Sequence, residues 1–167
     1  MKSILFIFLT VATTLTSNAQ NSLVPSKKVF DKKWVKNTTY EMVYYILKDT
    51  AKMEIGKVTT QITVNKKQLL VVTNVAIKGR PDTWVDSTSA DSKTLKPIRH
   101  SSYNTQRDMV LNFGKIVTGF YNDKIKKQNT FISDTTKTDY FDSNLYSVLL
   151  GWLPLKEGYK NDIAIYD

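Results

Sequence analysis

Residues 57–77, KVTTQITVNKKQLLVVTNVAI, decide the fold. Across Lys57 to Val64, Val58, Thr60, Ile62 and Val64 alternate with Thr59, Gln61 and Thr63, the period-two pattern of a half-buried strand. Asn65-Lys66-Lys67 reads as a turn. Gln68 to Ile77 follows as a second strand, apolar at most positions of both faces. So short a connection has no room for a crossover helix, so the two strands form an antiparallel hairpin.

The same pattern extends in both directions. Upstream, Thr39 to Lys48 (TYEMVYYILK) is dense in β-branched and aromatic side chains. Downstream, Gly79-Arg80-Pro81-Asp82 turns into a short strand around Trp84-Val85, and Ala90-Asp91-Ser92-Lys93 turns again into Thr94 to Tyr103. Pro97 has no N–H for a ladder, which places that strand at an edge or starts it after the proline. Arg107 to Phe113, Lys115 to Tyr121 and Lys124 to Ile132 complete the series. Connections this short predict a meander. From Thr138 the period changes: Tyr140, Phe141, Leu145, Val148, Leu149 and Trp152 recur at three- and four-residue steps. Asp142 and Ser143 stand as caps and Gly151 and Pro154 close the pattern, so a helix is expected over about 142–151. Ile163 to Tyr166 reads as a last strand. The fold class expected is mainly β, an antiparallel curved sheet or half-barrel meander of about eight or nine strands with one short helix packed on it.

The opening residues give an address. Lys2, then the apolar run Ile4 to Leu15, then Ser17-Asn18-Ala19 have the form of a cleavable leader cut before Gln20. The run is too short to span a bilayer of ~30 Å, and no second one follows. The organisation expected is a leader at 1–19, a polar arm at 20–37 and one β-rich domain at 38–167. Removing the leader leaves about 150 residues, a common size for one domain that needs no covalent staples. The chain has no cysteine, so neither a disulfide nor a lipoprotein anchor is expected, and the protein is expected to be periplasmic or secreted. Its formal charge of +9 comes largely from lysine groups at turns and in the arm, including Lys27-Lys28, Lys66-Lys67 and Lys126-Lys127. These read as a solvated surface rather than a nucleic-acid face, since no recognition motif accompanies them.

Chemistry is sparse. His100 is the one histidine, and with no carboxylate partner near it in sequence it reads as structural; a classical zinc site needs several such ligands. Serine-hydrolase and phosphate-loop motifs are absent, and no cofactor is expected. Asp82 and Asp86 flank Trp84 at a spacing that puts both on one strand face, which suits a carboxyl pair acting on glycans or simply a polar outer face. Asp139 and Asp142 read as helix-start residues. The apolar residues on both faces of Thr39 to Lys48 and Gln68 to Ile77 demand a second cover: the sheet curling on itself, further chain, a partner or a lipid. A closed sheet with an ordinary core inside is the plainest of these, and a ligand cavity the alternative.

Several short motifs carry a resemblance. Tyr140-Phe141-Asp142, the helix after it, Leu153-Pro154-Leu155-Lys156-Glu157-Gly158-Tyr159, Gly56-Lys57-Val58, and the "D-x-x-T-L-x-P" turn at Asp91 to Pro97 together resemble a family of secreted bacterial β-rich proteins classed as a domain of unknown function. Composition and leader are similar to those of Bacteroidetes proteins. The resemblance implies a likeness to lipoprotein-carrier-type envelope proteins, in which a bent sheet wraps a helix and holds acyl chains. It also implies further strands beyond Asp167, leaving 161–167 as a strand edge open to association. It supplies no catalytic residues. The function expected is therefore non-enzymatic binding of a lipid-like ligand or another envelope component, with Tyr44, Tyr45, Val72, Met109, Phe113 and Phe120 lining any cavity. The alternatives are a structural module of a surface assembly, or a glycan hydrolase using Asp82 and Asp86.

Overall fold

A computed structural model of the chain describes residues 22–81 and 83–167. The leader expected at 1–19 and Asp82 lie outside the described residues. Eight strands run in sequence order, each hydrogen-bonded antiparallel to the next: β1 (Thr38–Lys48), β2 (Ala51–Val64), β3 (Gln68–Ile77), β4 (Thr83–Asp91), β5 (Pro97–Tyr103), β6 (Arg107–Asn112), β7 (Ile116–Asp123) and β8 (Gln128–Thr135). This is the meander that the short connections require. The sheet is open, with β1 and β8 as its edges, so the closed sheet is corrected.

The turn chemistry explains the boundaries. β1 and β2 join through Asp49, which takes a positive φ of 52°, a conformation aspartate tolerates better than most residues. β2 therefore starts at Ala51, well before the expected Lys57. Ile55 is an extra residue there, since Tyr44 pairs with Gly56 and Tyr45 with Glu54, and this bulge hides the strand's period. The last long strand starts at Gln128 rather than Lys124, because the Asp123 carboxylate accepts from the amides of Ile125 and Lys126 and Lys127 takes a positive φ of 54°.

The motif from Asp91 to Pro97 is a self-bonded corner. Asp91 Oδ1 accepts from the Lys93 and Thr94 amides at 3.0 and 2.8 Å and from the Thr94 hydroxyl at 2.7 Å. Its backbone closes the loop through Leu95 N–H and Lys96 C=O. Leu95 adopts a φ of 62° yet is wholly buried. The corner thus drives an apolar anchor into the core.

One face of the sheet carries that core. Register places Thr38, Ile62, Val71, Thr88, His100, Leu111, Gly119 and Ile132 in one row across it. Over this row lies a cover from both ends of the chain. β9 (Phe141–Asp142) leads into a 3-10 turn (Ser143–Leu145) and a short helix, α1 (Tyr146–Leu150). These are the expected helix, with Asp142 as its cap. Phe141, Leu145, Leu149, Trp152 and Leu153 pack on Ile62, Leu69, Val71, Ala90 and Leu95. The stretch expected as a polar arm joins them: Phe30 is buried in the same core, and Leu23 bridges Ile163. β10 (Ile165–Tyr166) pairs parallel with β9, so 161–167 does not extend the eight-strand ladder.

The opposite face has no comparable cover among the described residues. By register it mixes polar Glu41, Lys57, Gln61, Asn74, Ser87, Arg99, Asp108 and Asn122 with apolar Leu70, Val72, Val110, Phe120 and Phe131.

The corner yields a pH prediction. The Thr94 hydroxyl, ahead of the turn amides, holds the Asp91 carboxyl below its ordinary value of 3.8. A lowered folded value means that its stabilisation is present above 3.8 and fades as pH falls through the folded value. Asp91→Ala is expected to cost about 1 kcal/mol at neutral pH. Urea unfolding of both proteins should show that gap narrowing in strong acid.

Candidate functional site

The cover reaches only half of the face it packs on. It lies over the ends of β2 to β6 that carry Ile62, Leu69, Ala90, Pro97 and Leu111. At the other ends, the same face continues without it. There register sets Met42 beside Val58, Val58 beside Val75 and Val75 beside Trp84, while Tyr44, Gly56 and Ile77 form the next row. Met42, Tyr44, Ile77 and Trp84 are 40, 48, 43 and 37% exposed. A trough of about 260 Å³ between Tyr44, Ile55, Val58, Val75 and Ile77 is walled almost entirely by apolar atoms.

Two further clefts continue along the face. The first, of about 270 Å³, shares Val75 and Ile77 with the trough and adds Trp84, Tyr121, Arg80 and Arg107. The second, of about 310 Å³, shares Arg107 and reaches the edge of the cover, where Asp86, His100, Met109, Ser143, Asn144 and Tyr166 line it. The face therefore grades from apolar, through aromatic and cationic, to polar. Another cleft, of about 520 Å³, lies at the opposite strand ends among Lys96, Lys115, Lys137 and Tyr140; Lys96 is paired there with Asp139 at 2.8 Å.

Where cover and sheet meet, a buried polar cluster ties them. Asp142 has no exposed surface. Its Oδ1 lies 2.9 Å from His100 Nδ1, its Oδ2 accepts from the Thr88 hydroxyl, and Asn144 Nδ2 donates to Thr88 Oγ1 at 3.0 Å. His100 thus has the carboxylate partner that its sequence neighbourhood lacks. Asp142 is more than a cap, and Asp139 is a surface ion-pair partner rather than a helix-start residue. Nδ1 donates to the carboxylate when the ring is neutral, leaving Nε2, which is buried and has no partner among the described residues. The cluster's evident work is mechanical, since it joins β4 and β5 to β9. Nearby, burial pushes the Tyr140 and Tyr166 hydroxyls above their ordinary value. These rings meet Phe113 edge-on, at centroid distances of 5.9 and 5.8 Å from it.

The six residues expected to line one cavity do not meet. Tyr44 lies in the trough, Met109 lines the polar cleft, and Phe113 packs on Tyr140 and Tyr166, all on the covered face. Tyr45 points to the other face, under the Lys52 ammonium at 3.9 Å. Val72 and Phe120 also lie there, linked by the register row through Ser87, Ser101 and Val110. Asp86 accepts from the Trp84 indole at 2.8 Å. The sequence reading missed Val58, Val75 and Ile77, whose pattern is that of ordinary strand residues, and Arg107, whose environment is made by three strands. No group of three or more His, Asp or Glu that could hold a metal occurs among the described residues. No helix among them is long and apolar enough to cross a membrane.

The polar tie makes its own prediction. Asp142→Ala leaves the buried Thr88 hydroxyl without its acceptor and the His100 ring without its carboxylate partner, and is expected to destabilise the fold by about 3 kcal/mol. Asp86→Asn, at the edge of an open cleft, should stay within about 1 kcal/mol. Chemical denaturation of both variants checks the contrast.

No curated protein and no solved structure matches the chain. Residues 39–167, from the second residue of β1 to β10 and the last residue, match the family described as Protein of unknown function (DUF3108). That match takes in most of the chain and all eight strands of the sheet, and the chain belongs to this family.

Proposed function

We propose that this domain is a non-enzymatic binding protein for a lipid-like ligand, exported by its leader to the periplasm or beyond, and that the ligand lies in the trough between Tyr44, Val58, Val75 and Ile77. One observation carries the reading: the face that holds the core runs on, uncovered, into a concave apolar surface. Contiguous apolar surface of this kind on a soluble domain marks an interaction site. A cleft below the usual 300–1,000 Å³ of small-molecule pockets suits one acyl chain better than several. The absence of motif chemistry leaves burial as the binding force, at about 0.8 kcal/mol for each methylene removed from water.

That force sets a measurable ladder. Titration with straight-chain alcohols below their aggregation limits should show affinity rising about three- to fourfold for each added methylene, then levelling once the trough is full. Ile77→Asp, at a strand end and nearly half exposed, should lose at least about tenfold in dodecanol affinity with the fold retained. Phe131→Ser, on the other face and 84% exposed, should bind as the parent does. Failure of the parent to bind any of the alcohols would sink the proposal.

A further inference from the structure

We propose that the ligand of the trough is a single-chain amphiphile with an anionic head, a long-chain carboxylate, and that Arg107 receives the head; this inference rests on the trough being the ligand site. Arg107 opens β6, and its guanidinium lies 5.6 Å from the Trp84 ring and 6.0 Å from the Tyr121 ring. The cation thus lies against two aromatic rings. Among the described residues its one side-chain hydrogen bond is a long one of 3.4 Å from Nη2 to the Ser102 hydroxyl.

No carboxylate neutralises this half-buried cation among the described residues. Its neighbours are engaged elsewhere. Asp108 pairs with Lys124 at 2.7 Å, Asp123 caps its own turn, and Asp86 takes the Trp84 indole. A guanidinium drawn partly out of water without a counter-charge is costly, and an incoming anion offsets that cost. The site also has the right order along the face. Val75 and Ile77 wall both the apolar trough and the cleft that holds Arg107, so a chain lying on them delivers its head to the guanidinium. Asp86 and Asp167 line the polar cleft beyond Arg107 and not the one where that head would sit. Arg80, exposed on the turn after β3, lines this cleft and adds a second positive charge. The planar fork of a guanidinium matches a carboxylate through two parallel hydrogen bonds, which selects the acid over an alcohol of equal length.

Calorimetric titration with laurate, dodecanol and dodecyltrimethylammonium, all below their aggregation limits, tests this. The parent protein should bind laurate at least about tenfold more tightly than dodecanol, with the cationic amphiphile weakest. Arg107→Gln should bring laurate down to the level of dodecanol. Arg107→Lys, which keeps the charge but not the fork, should retain part of the advantage and carries the test should the glutamine variant not fold. Equal binding of laurate and dodecanol by the parent, or an advantage that survives at full size in the Arg107 variants, would overturn the inference while leaving the trough reading intact. Binding of none of the three would overturn the trough reading itself.

Discussion

The cover is shorter than the sheet it must cover, and the rest of the structure follows from that. An antiparallel sheet buries one face by packing something on it. Here that something is a segment at each end of the chain, joined through the Leu23–Ile163 bridge and the β9–β10 pair. Together they bury Ile62, Leu69, Val71, Ala90 and Leu95 and then run out. The same strands go on beyond the cover, still presenting apolar side chains on that side, because the alternation that built the core does not stop where the cover does. The second face is mixed, with polar side chains set among apolar ones such as Val72, Phe120 and Phe131. On the core-bearing face, what remains is an apolar surface that none of the described residues covers.

The buried Asp142–Thr88–His100 cluster gives this half-covered arrangement a defined edge. Apolar packing alone would let the cover slide along the face, since one Leu or Val serves much like another. A buried carboxylate with specific partners on β4 and β5 admits one register. It is the device that fixes where the core ends and where the open trough and clefts begin.

Much of the fold could be read directly from the amino acids. Val58 to Val64 announce their strand by strict alternation, and the turn residues after them leave only a meander. The helix was legible in the spacing of Leu145, Val148, Leu149 and Trp152. What escaped was local irregularity and anything made by distant contact. Residues 51–56 hide a strand because Ile55 bulges out of the pattern. The stretch after Asn122 looks continuous because nothing in its composition shows that Lys127 turns. Asp142 and Thr88 lie 54 residues apart, so no local pattern could join them. The site divided in the same way. Tyr44 stood out as an aromatic on an apolar strand, but Tyr45, Val72 and Phe120 were placed with it although adjacent or out-of-register residues face opposite sides. Arg107 has no signal in sequence, because a cation with no carboxylate partner among the described residues is a property of its surroundings.

On the proposed reading, such a domain would hold its ligand by burial and sort it by charge at the point where the apolar surface gives way to Trp84, Tyr121 and Arg107. Native mass spectrometry of the protein, purified without detergent from the cells that make it, tests that claim most directly. The account predicts a reproducible added mass, removed by organic solvent and equal to one single-chain acyl acid. A bare monomer under conditions that keep a known carrier loaded, or a dimer with no added mass, would contradict it.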